Sequence, residues 1–317
     1  MPSSTSPPGI PAFVATTGGH LVQLYLLASI LEPERHRDAL WITHPTPQSE
    51  SMLSGRNVFF VPHIKARDPI AVLRLTPSVL RSLRRNHVDV VYSTGAAMAL
   101  VALPGARLVG ARPQFIESIA RSSGPSLAGQ VLERVPWVPV FTQYPQNASR
   151  RWRYEHSLLD LFTVETAQAA ADPRRIFVTL GTTKPWHFRS LVDRVLTILP
   201  DGCEVVWQTG VTDVSDLDIN AKAMVTDEEF RAEIGRADVV VSHAGGGTFM
   251  RCLEAGKVPI LVPRRASRGE HVDDHQEQIA QVGNDRGLAL MVEVGDLTYD
   301  DLRRAASLRT KRTDGHA

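Results

Sequence analysis

Two short runs in this chain set glycines and a histidine at the end of an apolar stretch. In the second half, Val239 to Val241 is a β-branched run that reads as a buried strand, and Ser242-His243-Ala244-Gly245-Gly246-Gly247-Thr248 follows it. Phe249 to Ala255 is then periodic as a helix and is closed by Gly256. A strand, a glycine loop and a helix start can together hold a diphosphate. Glycines let backbone N–H groups approach closely, and the first helical turn adds unpaired donors and a partial positive charge. In the first half, Ala12 to Thr17 reads as a strand and Gly18-Gly19-His20 follows. A helical pattern then carries Leu21, Leu24, Leu27, Ala28 and Leu31 on one side. An imidazole at a helix start is biased toward its neutral, proton-accepting form. That suits His20 as a general base toward a hydroxyl, with capping or packing as the plainer role.

After the next strand, Val258 to Val262, and Pro263, the chain crowds Arg264, Arg265, Arg268, Glu270, His271, Asp273, Asp274, His275 and Gln276 into thirteen residues. Ligands of open α/β sheets bind at the carboxyl ends of strands. Polar groups of both signs there suit a hydroxyl-rich, phosphorylated ligand; a solvated charged loop is the alternative. Glu117 closes another strand, Gln114 to Ser118, at the edge where His20 stands. Asp216-Leu217-Asp218 has the spacing of a metal-binding acidic pair, but it sits in the polar loop VTDVSDLDINAK, so no metal or other cofactor is expected.

Alternating strand and helix patterns run through each half, which predicts two doubly wound, Rossmann-like α/β domains facing across a cleft. The expected limits are 12–165 and 173–312, with the polar, alanine-rich stretch Glu165 to Pro173 as linker. Asp227 to Gly235 reads as a helix with an acidic cap, and the tail RTKRTDGHA is expected to fray. With 317 residues and 43% hydrophobic side chains the chain can bury two cores, and a net charge of +1 gives no argument for nucleic acid. Cys203 and Cys252 make neither a disulfide framework nor a zinc cluster. MPSSTSPPG lacks the basic and apolar regions of a secretory leader, and a cytoplasmic setting is expected. Residues 64–87 are basic and apolar, and Pro69 and Pro77 are expected to break them into pieces. Such a segment either lies on an anionic membrane surface or is a crossover helix with a solvated basic face.

VTLGTT (178–183), SHAGGGT (242–248) and GEHVDDHQ (269–276) resemble the C-terminal domain of family-28 glycosyltransferases, which have the GT-B fold. TTGGH (16–20) and FIESIARSSGPSLAGQVL (115–132) resemble the acceptor-side subunit of two-component members, and TQYPQNASRRWRY (142–154) resembles bacterial polysaccharide members. The chain looks like both components fused. The resemblance implies an inverting, metal-independent transfer from a UDP-sugar (GlcNAc, glucuronic acid or galactose) to a polyprenyl-diphosphate-linked saccharide at the inner membrane face. It further implies that His243, Ala244, Gly245, Gly246, Gly247 and Thr248 wrap the diphosphate and that Thr182 reaches the same phosphates. Val225 would offer its backbone to uracil, and Glu270, His271, Asp274, His275 and Gln276 would line ribose and sugar. His20 would be the acceptor-side base, beside Gly18 and Gly19, and Glu117 a second acceptor-side group. Many relatives carry a ribose-binding Glu where this chain has Arg251; Glu254, one turn on, is the substitute within the sequence. A UDP-sugar 2-epimerase shares the two-domain fold, but the scattered carboxylates of that chemistry are missing. A non-catalytic recruiting partner is the other alternative, and it does not need donor and acceptor motifs in one chain.

Overall fold

The computed structural model of the protein describes residues 9–64, 68–155, 157–166, 172–182, 184–200, 202–271 and 275–313. They form two compact units, the first made of residues up to Ile119 and Ser123–Leu158, the second of Ala120–Ser122 and the residues from Leu159 on. Residues 159–165, expected in the first domain, therefore pack in the second. Residues 167–171 of the expected linker lie outside the described residues.

The first unit runs β1 Ile10–Val14, α1 Gly19–Leu31, β2 Leu40–Thr43, α2 Pro47–Met52, β3 Asn57–Phe60, α3 Pro69–Arg85, β4 Val88–Ser93, α4 Ala96–Ala102, β5 Arg112–Ile116, α5 Leu127–Leu132, β6 Val140–Thr142 and β7 Trp152–Tyr154. Its seven strands are parallel in the order β3-β2-β1-β4-β5-β6-β7. The second unit runs β8 Phe162–Thr166, β9 Arg175–Thr179, α6 Arg189–Ile198, β10 Glu204–Gln208, β11 Ala221–Lys222, α7 Asp227–Arg236, β12 Val239–Ser242, α8 Gly246–Glu254, β13 Ile260–Leu261, α9 His275–Asp285, β14 Leu290–Met291, α10 Tyr299–Ala306 and β15 Leu308–Arg312. Its six-stranded sheet is parallel in the order β11-β10-β9-β12-β13-β14. Both orders reverse direction once, between β1 and β4 and between β9 and β12, and that reversal opens a crevice at the carboxyl ends of the strands. Strands buried on both faces read as continuous apolar runs, which is why VVVS in β12 was so legible. Val241 in that strand lies level with Val178 of β9 and Ile260 of β13.

Five helices begin under a side-chain cap: Thr46, Asp68, Ser126, Thr226 and Thr298 accept from the first turns of α2, α3, α5, α7 and α10. The cap of α7 is thus Thr226, and the acids expected to cap it fill the first turn instead, where they meet the positive end of the helix dipole. By contrast α1, α4 and α8 begin at Gly18, Gly95 and Gly245, which offer no side chain to their first-turn amides.

Three expectations are corrected. Pro77 does not break the basic segment: α3 is one helix of 17 residues, with Pro69 at its first turn and Pro77 inside. Val79 and Leu83 bury its second half, while Ile70 and Leu73 stay exposed near its start. The helix after SHAGGGT starts at Gly246, not at Phe249, so Gly246, Gly247 and Thr248 are its first turn. The tail is not frayed through Arg312: β15 pairs antiparallel with β8. It also closes the far end of α8, since Thr310 Oγ1 donates to Leu253 O at 2.8 Å and Thr310 N to Gly256 O at 3.2 Å. Thr310→Val removes the first of these bonds at a buried site and is expected to cost about 1 kcal/mol. Thermal unfolding should show a Tm lower by ~2–4 °C; an unchanged Tm would mean that the tail does not brace α8.

Candidate functional site

In the second unit, two loops flank the reversal point. One follows β9 (Leu180, Gly181, Thr182) and the other follows β12 (His243 to Gly245). His243 ties them: its Nδ1 donates to Thr179 O at 3.3 Å and its backbone N–H to the same oxygen at 3.4 Å. The ring stands against the loop that follows, and a Cβ at Gly245 would lie 2.5 Å from His243 Nε2, so only glycine fits there. Ala244 takes φ +58°, a left-handed conformation that costs an alanine about 1–2 kcal/mol. Strain of this kind concentrates where a loop is held for a purpose. The amides of Gly246, Gly247 and Thr248 then form the first turn of a helix without a side-chain cap. Thr182 is exposed on the neighbouring loop.

The residues expected around ribose and sugar separate into two groups. Gln276, on α9, is buried, and its Oε1 accepts from Arg264 N and Arg264 Nε, both at 3.2 Å. His271 is buried with its ring centroid 6.2 Å from that of Trp186. His275 is the first residue of α9, and Asp274 lies outside the described residues. Glu270, expected to face the donor, is engaged by protein on both oxygens. Oε1 accepts from Ser190 Oγ at 2.7 Å, and Oε2 from Arg265 N at 3.0 Å and Arg268 Nε at 2.9 Å. It fastens the loop after β13 to the start of α6. Val225 is half-buried between β11 and α7. The backbone ahead of it is held by Thr209 N to Lys222 O at 2.9 Å and Gly210 N to Ala223 O at 3.0 Å.

Arg251 is engaged within the second unit. It is 4% exposed and forms an ion pair with Asp227, which also receives Arg231 Nε at 2.8 Å. Burial pushes the Arg251 guanidinium down from its ordinary pKa and Asp227 pulls it back up. The pair joins α8 to the first turn of α7, and so joins the glycine turn to the loop that carries Val225. Glu254 is the last residue of α8, ~12 Å along the axis from Gly246, and it is exposed. Asp216 is equally committed, since both its oxygens accept from Arg189, at 2.6 and 2.8 Å.

The first unit repeats the arrangement at its own reversal point. Gly18 takes φ +85° and lets the chain turn into α1, whose second residue is His20, after Gly19. His20 Nδ1 donates to Thr94 O at 2.9 Å, and Thr94 Oγ1 donates back to His20 O at 2.8 Å. A proton fixed on Nδ1 leaves Nε2 as the basic nitrogen, which is the tautomer a general base needs. Gly95 takes φ +126°, and a Cβ there would lie 3.1 Å from His20 Cε1. Ala96 then takes φ +55°, as Ala244 does in the other unit. Gln23, one turn beyond His20, reaches the loop after β5, donating to Ser118 Oγ and accepting from Ile119 N, both at 3.0 Å. Glu117 is 3% exposed and accepts from Ser118 N at 3.0 Å and Ser126 N at 2.8 Å, so it organises the turn into α5. It lines a pocket of about 100 Å³ with Gly124, Pro125, Thr142, Asn147 and Trp152. The geometry supports a positioning task for Glu117 rather than direct proton transfer.

Residues 175–307 match the Glycosyltransferase family 28 C-terminal domain. Over 94% of this chain and 89% of the relative, the sequence is 25% identical to the UDP-N-acetylglucosamine–N-acetylmuramyl-(pentapeptide) pyrophosphoryl-undecaprenol N-acetylglucosamine transferase of Cupriavidus metallidurans. The transferase of the same description from Rippkaea orientalis is 26% identical over 91% of this chain and 86% of its own length. The solved structure of Acinetobacter baumannii MurG shares the fold with a TM-score of 0.56 at 20% identity, covering 94% of this chain and 89% of that one. The glycosyltransferase SnogD from Streptomyces nogalater gives 0.53 at 17% identity, over 94% and 93%.

Residues 175–307 are a glycosyltransferase family 28 C-terminal domain, and the chain is a UDP-sugar glycosyltransferase of GT-B fold.

Sequence reasoning about this glycosyltransferase missed the Arg251–Asp227 pair, and a buried ion pair joining two helices leaves no local pattern to find. It also missed the bond from His20 to the loop after β4, although Ser93-Thr94-Gly95 before a helix was a visible second glycine turn. Arg251→Met leaves Asp227 buried with Arg231 alone and is expected to cost about 3 kcal/mol. Denaturant unfolding measures this; a loss below ~0.5 kcal/mol, the range of an ordinary surface substitution, would show that the pair does not brace α8.

Proposed function

We propose that this glycosyltransferase moves a sugar from its UDP derivative to a polyprenyl-diphosphate-linked saccharide and inverts the anomeric carbon. N-acetylglucosamine is the first donor to test. The observation that carries the reading is the glycine turn at α8, with its strained Ala244 and its uncapped first-turn amides. Negative charge grows on the departing UDP, and fixed N–H donors stabilise it with little reorganisation. His20 Nε2 takes the proton of the attacking hydroxyl, and its ring is already held in the needed tautomer by Thr94. A single displacement on an α-linked donor then yields a β-linked product. The curated relatives are named for the same class of donor and acceptor, which favours N-acetylglucosamine over glucuronic acid or galactose.

The acceptor's lipid lies in a membrane, while no helix of the described residues is long and apolar enough to cross one. The exposed Ile70 and Leu73 beside Arg74, on the first half of α3, are the surface we assign to resting on the bilayer. With UDP-N-acetylglucosamine and the N-acetylmuramyl-pentapeptide acceptor of the relatives, steady release of UDP is expected. No release with any of the three UDP-sugars and polyprenyl-diphosphate saccharides would overturn the reading. His20→Ala should lower kcat ~10²–10⁴-fold and leave UDP affinity within twofold; unchanged turnover would remove His20 from the mechanism.

A further inference from the structure

Arg264 is among the largest fully buried side chains of the protein, 2% exposed, and it has no carboxylate within ion-pair range among the described residues. Its hydrogen-bond partners are neutral: Nε donates to Gln276 Oε1 at 3.2 Å and Nη1 to Trp186 O at 3.4 Å. Glu270 is near enough to favour the charge, but its own oxygens are taken by Ser190, Arg265 and Arg268. Burial pushes the guanidinium down to about 10, which still leaves it cationic at neutral pH. A buried cation without a direct ion pair destabilises a fold, so its retention calls for a reason.

Its place in the sheet supplies one. Arg264 follows β13, yet its head group lies against Gly181, after β9. A Cβ at Gly181 would sit 2.7 Å from both Nη1 and Nη2. In the sheet, β12 lies between these strands, so the side chain passes across the carboxyl end of β12, a reach of about two strand spacings or ~9–10 Å. That is where His243 to Gly245 turn into α8. Gly181 is needed there because any side chain would displace the guanidinium.

We infer that Arg264 is the fixed counter-charge for the donor's diphosphate, in the position that a divalent cation fills in metal-dependent transferases. The inference rests on the UDP-sugar reading above. It differs from a purely structural brace in that the charge, not the packing, selects phosphate. It also gives Gln276 a defined presentation: with its oxygen taken by Arg264, its amide N–H groups are what it can offer a sugar.

The test titrates the full-length protein with UDP and with uridine by calorimetry, in wild type, Arg264→Met, Arg264→Lys and Gly181→Ala, after circular dichroism has verified folding. Arg264→Met is expected to lower UDP affinity at least tenfold and leave uridine affinity within twofold; Arg264→Lys should recover part of the loss. Gly181→Ala, which keeps the arginine but pushes its head group aside, should show the same selective loss even if Arg264→Met does not fold. Parallel losses for UDP and uridine, or no loss for UDP, would overturn the inference. Failure of the wild type to bind UDP would instead overturn the donor assignment on which it rests.

Discussion

Two hydrogen bonds hold the loops at the two strand-order reversals in place, one in each unit: His20 Nδ1 to Thr94 O, and His243 Nδ1 to Thr179 O. Each spans the point where a parallel sheet reverses its strand order. At that point the two neighbouring loops run away from each other and leave a crevice, and no backbone ladder is available to fix their separation. An imidazole donating to the last carbonyl region of the adjacent strand fixes it instead. The same bond decides which ring nitrogen carries the proton, so that one contact sets both loop geometry and acid–base state.

The glycines follow from that constraint. Gly95 lies under the His20 ring and Gly245 under the His243 ring, and in each case a side chain would meet the imidazole. The next or preceding residue is an alanine forced to positive φ, Ala96 and Ala244. The strain is local and is met by the parallel strands beneath, whose apolar runs are buried on both faces. The rest of the second unit braces α8 at two places. Arg251 and Asp227 tie its flank to α7, and Thr310 of β15 holds its far end. Other helices begin at ordinary Thr, Ser or Asp caps, which satisfy first-turn amides of the kind that α8 leaves without a side-chain cap.

The alternation of strands and helices and the two glycine turns were legible because each is a short-range pattern: β-branched runs, glycine at a helix start, a helix-stopping Gly256. The element limits were less so. β15 reads as a polar tail because its stability comes from pairing with β8, some 145 residues earlier, and from Leu253. Pro77 reads as a breaker, but the first half of α3 is exposed, so the carbonyl that proline leaves unpaired can meet water. Glu117 and Glu270 read as ligand-facing acids because of where they stand in sequence. Their backbone and hydroxyl partners come from segments folded against them, and no spacing in the chain announces that. Charge runs show which groups are present; which of them are already engaged is decided by tertiary contacts.

The most direct measurement is a crystal structure of the protein with UDP. The account predicts the β-phosphate within ~3 Å of the amides of Gly246, Gly247 and Thr248, with the uracil at Val225. A nucleotide seated elsewhere, or those amides closed by protein in the complex, would contradict it.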